Sequence, residues 1–170
     1  MEVPAMILYL VQHGEAVDKE IDPDRPLSDA GRREVATVAD FLAVRPVPID
    51  HIWHSGKPRA KETADILAAR LAPHVQPQER PGLAPKDPVV PLRDLLGTYE
   101  DDIMLVGHLP HLAKLAGLLL AGDENQTPVR FAKGGVLCLI QDESDHWQIA
   151  WMVVPELLAY AATEPENSDG

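Results

Sequence analysis

The chain of 170 residues has a single cysteine, Cys138, so no disulfide can form within it. That cysteine sits in Val136-Leu137-Cys138-Leu139-Ile140 and reads as a small buried apolar residue. Basic residues are scarce as well: 15 Lys and Arg against 27 Asp and Glu leave a formal charge of −12. No Lys/Arg cluster is present to hold a phosphate backbone, which argues against a nucleic-acid partner. Long apolar runs are also missing. The longest apolar helix, around Leu112 to Ala121, falls far short of the ~20 residues a membrane span needs. Met1-Glu2-Val3-Pro4 carries no basic start and leads straight into a strand, unlike a signal peptide. The expectation is a cytoplasmic protein with no membrane association. Hydrophobic residues make up 45%, enough for a folded core, and the length suits one domain.

What is present is an alternation of apolar runs and amphipathic stretches. A strand over 6–11 leads into a polar loop from Asp18 to Pro26. The spacing of Val35, Val38, Ala39, Phe41 and Leu42 predicts a helix from about Asp29 to Val44, with Ser28 as its N-cap. Ile52-Trp53 reads as a short strand, and Ser55-Gly56 turns the chain into a helix from about Pro58 to Leu71. Pro73 to Pro91 is irregular, with one short strand expected near Val75, and a short helix is expected over Val90 to Leu96. The helix after Ile103–Val106 carries Pro110 in its first turn. Val136–Gln141 and Trp147–Val153 predict a hairpin, the second strand burying Trp147, Ile149, Trp151 and Val153 on one face. A last helix is expected over Pro155 to Ala162. The whole reads as one α/β domain over 1–162, a three-layer α/β/α sandwich around a mostly parallel sheet, with a solvated acidic tail over 163–170.

Two of the apolar runs end in histidine beside glycine: Ile7–Val11 in Gln12-His13-Gly14, and Ile103–Val106 in Gly107-His108. Open α/β sheets place their chemistry at such strand ends. Histidine is a competent nucleophile toward phosphorus, and an unperturbed pKa near ~6.5 leaves its neutral form available at pH 7. His108 precedes a helix N-terminus, whose spare N–H groups and positive dipole end suit an anion. Arg59 stands in the first turn of its helix, an unfavourable place for a cation, and its guanidinium fork matches phosphate oxygens. The other histidines point to no metal. His51 and His54 lie on opposite faces of a strand, and the His108/His111 pair lacks the further ligands that zinc takes. His74 and His146 read as surface or turn residues.

Gln12-His13-Gly14, Ser55-x-x-x-Arg59-Ala60-x-x-Thr63-Ala64 and Gly107-His108, in that order, resemble the histidine phosphatase superfamily with its phosphoglycerate mutase-like fold. Arg25-Pro26-Leu27-Ser28 followed by Gly31, and Leu83-Ala84-Pro85, resemble the small SixA-type phosphohistidine phosphatases within it. The resemblance implies that His13 attacks phosphorus and forms a covalent phosphohistidine, which water then hydrolyses. It further implies that Arg59 clamps the phosphoryl oxygens and that a protonated His108 stabilises their negative charge. Gln12, Gly14 and Arg25 are expected to join Arg59 and His108 around the phosphate. No cofactor or metal is expected, because fixed cationic side chains supply the electrostatics. The expected substrate is a phosphohistidine protein, of the phosphorelay or phosphotransfer kind, acted on by a monomer.

Two departures bear on activity. The family motif begins with arginine, where this chain has Gln12. Losing one charge-assisted bond to a transition-state anion costs about 2–3 kcal/mol, on the order of a hundredfold in rate. Many family members also use a carboxylate to protonate an alcohol leaving group. Here the segment reads Arg80-Pro81-Gly82-Leu83-Ala84-Pro85, with Glu79 and Asp87 nearby but neither clearly in the role. Imidazole leaves far more readily than an alkoxide, which favours a phosphoramidate substrate. The alternatives are a small-molecule phosphomonoesterase for a sugar or nucleotide phosphate, or a low-activity module that binds phosphate or phosphohistidine.

Overall fold

The structure, a computed structural model, describes residues 3–159. In chain order the elements are β1 (Met6–Gln12), α1 (Asp29–Ala43), β2 (His51–His54), α2 (Pro58–Leu71), β3 (Gln78–Glu79) and α3 (Val90–Leu96). Then come β4 (Ile103–Gly107), α4 (His111–Ala121), β5 (Val136–Gln141), β6 (Trp147–Val153) and α5 (Pro155–Ala159). One six-stranded sheet runs in the order β3-β2-β4-β1-β5-β6. The first four strands are parallel to one another, and β5 and β6 add antiparallel pairs.

Both faces of the sheet are covered, which is why β1 and β4 are unbroken apolar runs. Tyr9, Val11, Ile52, Met104 and Val106 point toward α1 and α2, packing with Val35, Val38, Ala64 and Leu67. Leu8, Leu10, Trp53, Ile103 and Leu105 face α3 and α4, packing with Leu92, Leu96, Leu112 and Leu115. The result is the three-layer sandwich expected. Ser28 caps α1 through a 3.0 Å bond from the Gly31 amide to its Oγ. Cys138 is buried in β5, and burial pushes its thiol up to about 12, so it stays a protonated core residue.

Three expectations change. No strand forms at Val75; β3 lies at Gln78–Glu79, two polar residues recruited by pairing with Trp53 and His54. Pro110 precedes α4 as its N-cap residue instead of lying inside the first turn. The even alternation of β6 fails because the register slips between Cys138 and Leu139, which pair with Trp151 and Ile149 and leave Ala150 as an extra residue. The bulge swaps faces: Trp147 packs on the α3/α4 side, Trp151 and Val153 on the α1/α2 side, and Ile149 is exposed. The expected last helix is described only as far as Ala159, and the tail over 163–170 lies outside the described residues.

Candidate active site

Register decides the site. The β1–β4 ladder pairs Gln12 with Gly107, and the His13 amide donates to the Gly107 carbonyl at 3.0 Å. His13 and His108 therefore leave the sheet side by side at the carboxyl ends of adjacent parallel strands. On the other flank of β4, His54 pairs with Val106, which delivers Ser55 to the same edge. The imidazoles of His13 and His108 lie with ring centroids 5.0 Å apart, tilted by 52°. Both are buried, at 7% and 2% exposure.

The orientation of His13 is fixed by its own loop. Its Nδ1–H donates to the Gly14 carbonyl at 2.6 Å, since a carbonyl can only accept, so in the neutral ring the lone pair is on Nε2. The Gly14 amide donates to Thr63 Oγ1 at 3.0 Å, and that hydroxyl donates to the Arg59 carbonyl at 2.7 Å. Thr63 thus ties the first turn of α2 to the loop that carries His13. A side chain at Gly14 would have to displace core neighbours, because a Cβ would meet Val35 at 2.8 Å and Leu27 at 3.1 Å. Expected as a phosphate ligand, Gly14 has its amide engaged by Thr63 and positions His13.

Charge around the pair is one-sided. Burial lowers the His13 pKa to about 4, aided by Arg59, Lys133 and Arg25 and opposed by the bond to Gly14. Burial lowers that of His108 to about 3, with His13, Arg59 and Lys57 adding to the effect. Without an anion, burial and the neighbouring cations favour the neutral form of both imidazoles. The Nε2 of His108 lies 2.6 Å from Ser55 Oγ, while Nδ1 is buried without a partner. The Arg59 Nε is likewise buried and unpartnered, and burial together with Arg25 lowers its pKa.

Of the residues named from sequence, His13, His108, Arg59 and Arg25 come together. Arg25 holds a left-handed conformation, φ 48°, with its Nε donating to the Val17 carbonyl at 3.2 Å. Its loop is anchored by Glu62, which accepts from the Leu27 amide at 2.9 Å and from Arg32 at 3.3 Å. Gln12 is buried at the end of β1, and its carbonyl accepts from the Gly134 amide at 2.9 Å. Sequence reasoning missed Lys133, Ser55 as the partner of His108, and the positioning role of Glu62. Ser55 was visible inside the motif; Lys133 carried no local signal.

The acid candidates behave differently. Asp87 Oδ2 accepts from the Ala84 amide at 2.9 Å and so shapes its own loop. The Glu79 carboxylate lies against Gly56. Both line a cleft of about 640 Å³ beside Ser55, together with Arg80, Pro81, Gly82, Leu83 and Ala84. His111 is fully buried, neither ring nitrogen has a hydrogen-bond partner among the described residues, and burial lowers its pKa. Among the described residues no group of three or more His, Cys, Asp or Glu is placed to hold a metal ion.

The fold and this edge define an α/β protein that gathers two imidazoles and a guanidinium from separate segments at the carboxyl ends of its parallel strands. The chain belongs to the histidine phosphatase superfamily: residues 8–85 match its branch 1. An uncharacterized protein of Picosynechococcus is 34% identical over 142 residues, covering 79% of this chain and 84% of its own. Phosphohistidine phosphatase SixA of Escherichia coli is 26% identical over 155 residues, covering 88% and 94%. Among solved structures, the protein histidine phosphatase SixA complexed with tungstate superposes with a TM-score of 0.77 at 25% identity, over 90% of this chain and 99% of that one. The alpha-ribazole phosphatase from Shigella flexneri shares the fold, with a TM-score of 0.74 at 15% identity over 88% and 97%. No helix among the described residues is long and apolar enough to cross a membrane.

Proposed function

We propose that this phosphatase removes phosphate from a phosphohistidine on a protein through a covalent intermediate on His13. The observation that carries the reading is the His13 ring, held by Gly14 through Nδ1 so that Nε2 is free, and set 5.0 Å from His108. Nε2 attacks phosphorus as the P–N bond to the substrate imidazole breaks; that imidazole takes its proton from solvent. Water then attacks the phosphoryl-His13, releasing phosphate and restoring the ring. Arg59, with an unpartnered Nε, and Arg25 hold the oxygens, whose charge offsets the depressed basicity of His108, so that ring gains its proton with substrate. The cations do this work without a metal.

The acid side of the site favours a phosphoramidate. Asp87 is engaged by Ala84, and a leaving imidazole has less need of a donor than an alkoxide. One observation favours the second reading, a small-molecule phosphomonoesterase: Glu79 is exposed in the cleft beside Ser55 and is in no ion pair among the described residues. Parallel turnover of a phosphohistidine protein and a simple phosphomonoester decides between them. The expected result is faster clearance of phosphohistidine, with an acid-labile label on His13 after rapid quench. Faster monoester hydrolysis would establish the second reading. Tight phosphate binding without turnover of either would establish a binding module.

A further inference from the structure

We propose that Lys133 is a ligand of the phosphoryl group, supplying the positive charge that Gln12 does not. The proposal rests on reading the His13 edge as a phosphoryl pocket, and not on phosphohistidine as the substrate.

The geometry begins with the turn that carries Lys133. The Gly135 amide donates to the Ala132 carbonyl at 2.9 Å, and Gly134 between them has φ +74°. A tight turn with a left-handed third residue is the type II pattern, which places Lys133 at the outer corner. The turn is not free to drift. The Gly134 amide donates to the Gln12 carbonyl at 2.9 Å, and a Cβ on Gly134 would stand 3.9 Å from the Gly14 Cα. Gly134 and Gly135 are buried, whereas Lys133 is exposed. A rigid corner therefore presents a flexible ammonium beside the Gln12-His13-Gly14 backbone.

Charge then gives the lysine its task. Lys133 has no carboxylate within 4.0 Å among the described residues, in a chain whose formal charge is −12. Its charge reaches His13 more strongly than that of Arg25 does. Gln12, on the residue just before the nucleophile, donates hydrogen bonds but brings no charge. A lysine is a point charge on a long stem and binds phosphate without the bidentate geometry arginine needs. Lys133 enters from the turn before β5, which borders β1 on the edge away from β4 and β2, whereas Arg59 enters from α2 after β2, so the two cations come from separate segments.

The test is a double-mutant cycle read by binding and by rate. Tungstate, a phosphate mimic, is titrated calorimetrically into wild type, Lys133→Gln, Lys133→Arg, Gln12→Arg and Gln12→Arg/Lys133→Gln. Lys133→Gln is expected to weaken tungstate binding, and to lower kcat/KM, by about tenfold or more, the scale of one charge-assisted bond. Lys133→Arg is expected to keep most of both. Gln12→Arg is expected to restore binding more in the Lys133→Gln background than in wild type. Circular dichroism and thermal unfolding establish that the exposed substitution leaves the fold unchanged. Tungstate affinity altered less than twofold by Lys133→Gln would overturn the proposal, as would equal gains from Gln12→Arg in both backgrounds. Failure of wild type to bind tungstate would overturn both this proposal and the pocket itself; binding without phosphohistidine turnover would overturn only the substrate.

Discussion

The two ends of the sheet hold clefts of similar size but treat charge in opposite ways. At the amino ends of β1 and β4 lies a cleft of about 660 Å³, lined by Arg93, Asp94, Tyr99, Glu100, Gln141 and Trp147 among others. Its arginine is partnered, with Arg93 3.0 Å from Asp94. At the carboxyl ends, beside the cleft of about 640 Å³, Arg25, Arg59, Lys57 and Lys133 have no carboxylate within 4.0 Å among the described residues. Volume does not distinguish the two ends. Unpaired cations around two buried imidazoles do, because like charges held together without a counter-ion cost stability until an anion arrives.

Removing groups from the two ends should break this symmetry of size most sharply. His13→Ala is expected to lower phosphatase kcat by at least about 10³-fold and to abolish the acid-labile label, and Arg59→Ala by about 10²–10³-fold. Steady-state and quench kinetics on both variants check this. Retained labelling in His13→Ala would move the nucleophile elsewhere.

A middle-sized effect lies in pH. In the unfolded chain the two histidines take up protons near the ordinary pKa of ~6.5, whereas in the folded chain His13 waits until about 4 and His108 until about 3. Between these limits the unfolded state binds more protons, so stability falls as pH drops from about 6.5 toward 4. Above pH 7 both states are neutral there and the pair contributes no slope. Urea unfolding at pH 7 and pH 5 should show a smaller loss for His13→Ala/His108→Ala than for wild type. An equal loss would place the acid sensitivity outside this end.

The smallest effect belongs to the opposite end. The Arg93–Asp94 pair is solvent-exposed, so Arg93→Ala should change stability by under about 1 kcal/mol. Phosphatase activity should stay within twofold of wild type. A large drop in activity would mean that the two ends are coupled through α3.

Much of the site is legible in the sequence because its chemistry sits at the ends of apolar runs. β1 and β4 are covered on both faces, so their residues are continuous apolar stretches, and His13 and His108 stand where each stretch stops. Arg59 is legible because a cation in a helix's first turn opposes the dipole. Lys133 is not legible, since an exposed lysine in a turn looks like any solvated one until Gly134 is found bonded to Gln12. The protonation of His108 is not legible either, because it depends on burial, on His13 from β1 and on Arg59 and Lys57 from the start of α2. The bulge at Ala150 lacks any Gly or Pro to announce it, and β3 is a strand only because β2 is beside it.

By itself the sequence determined the order of the main elements, the apolar faces of α1 and α2 and the three segments that bear His13, Arg59 and His108, since periodicity and capping are local properties. Tertiary structure alone decided which strands are neighbours, and with that the 5.0 Å spacing of the imidazoles, the loss of their charge and the approach of Lys133. These depend on distances between residues far apart in the chain, where Coulomb and desolvation energies are set by position in space and not by order along the backbone.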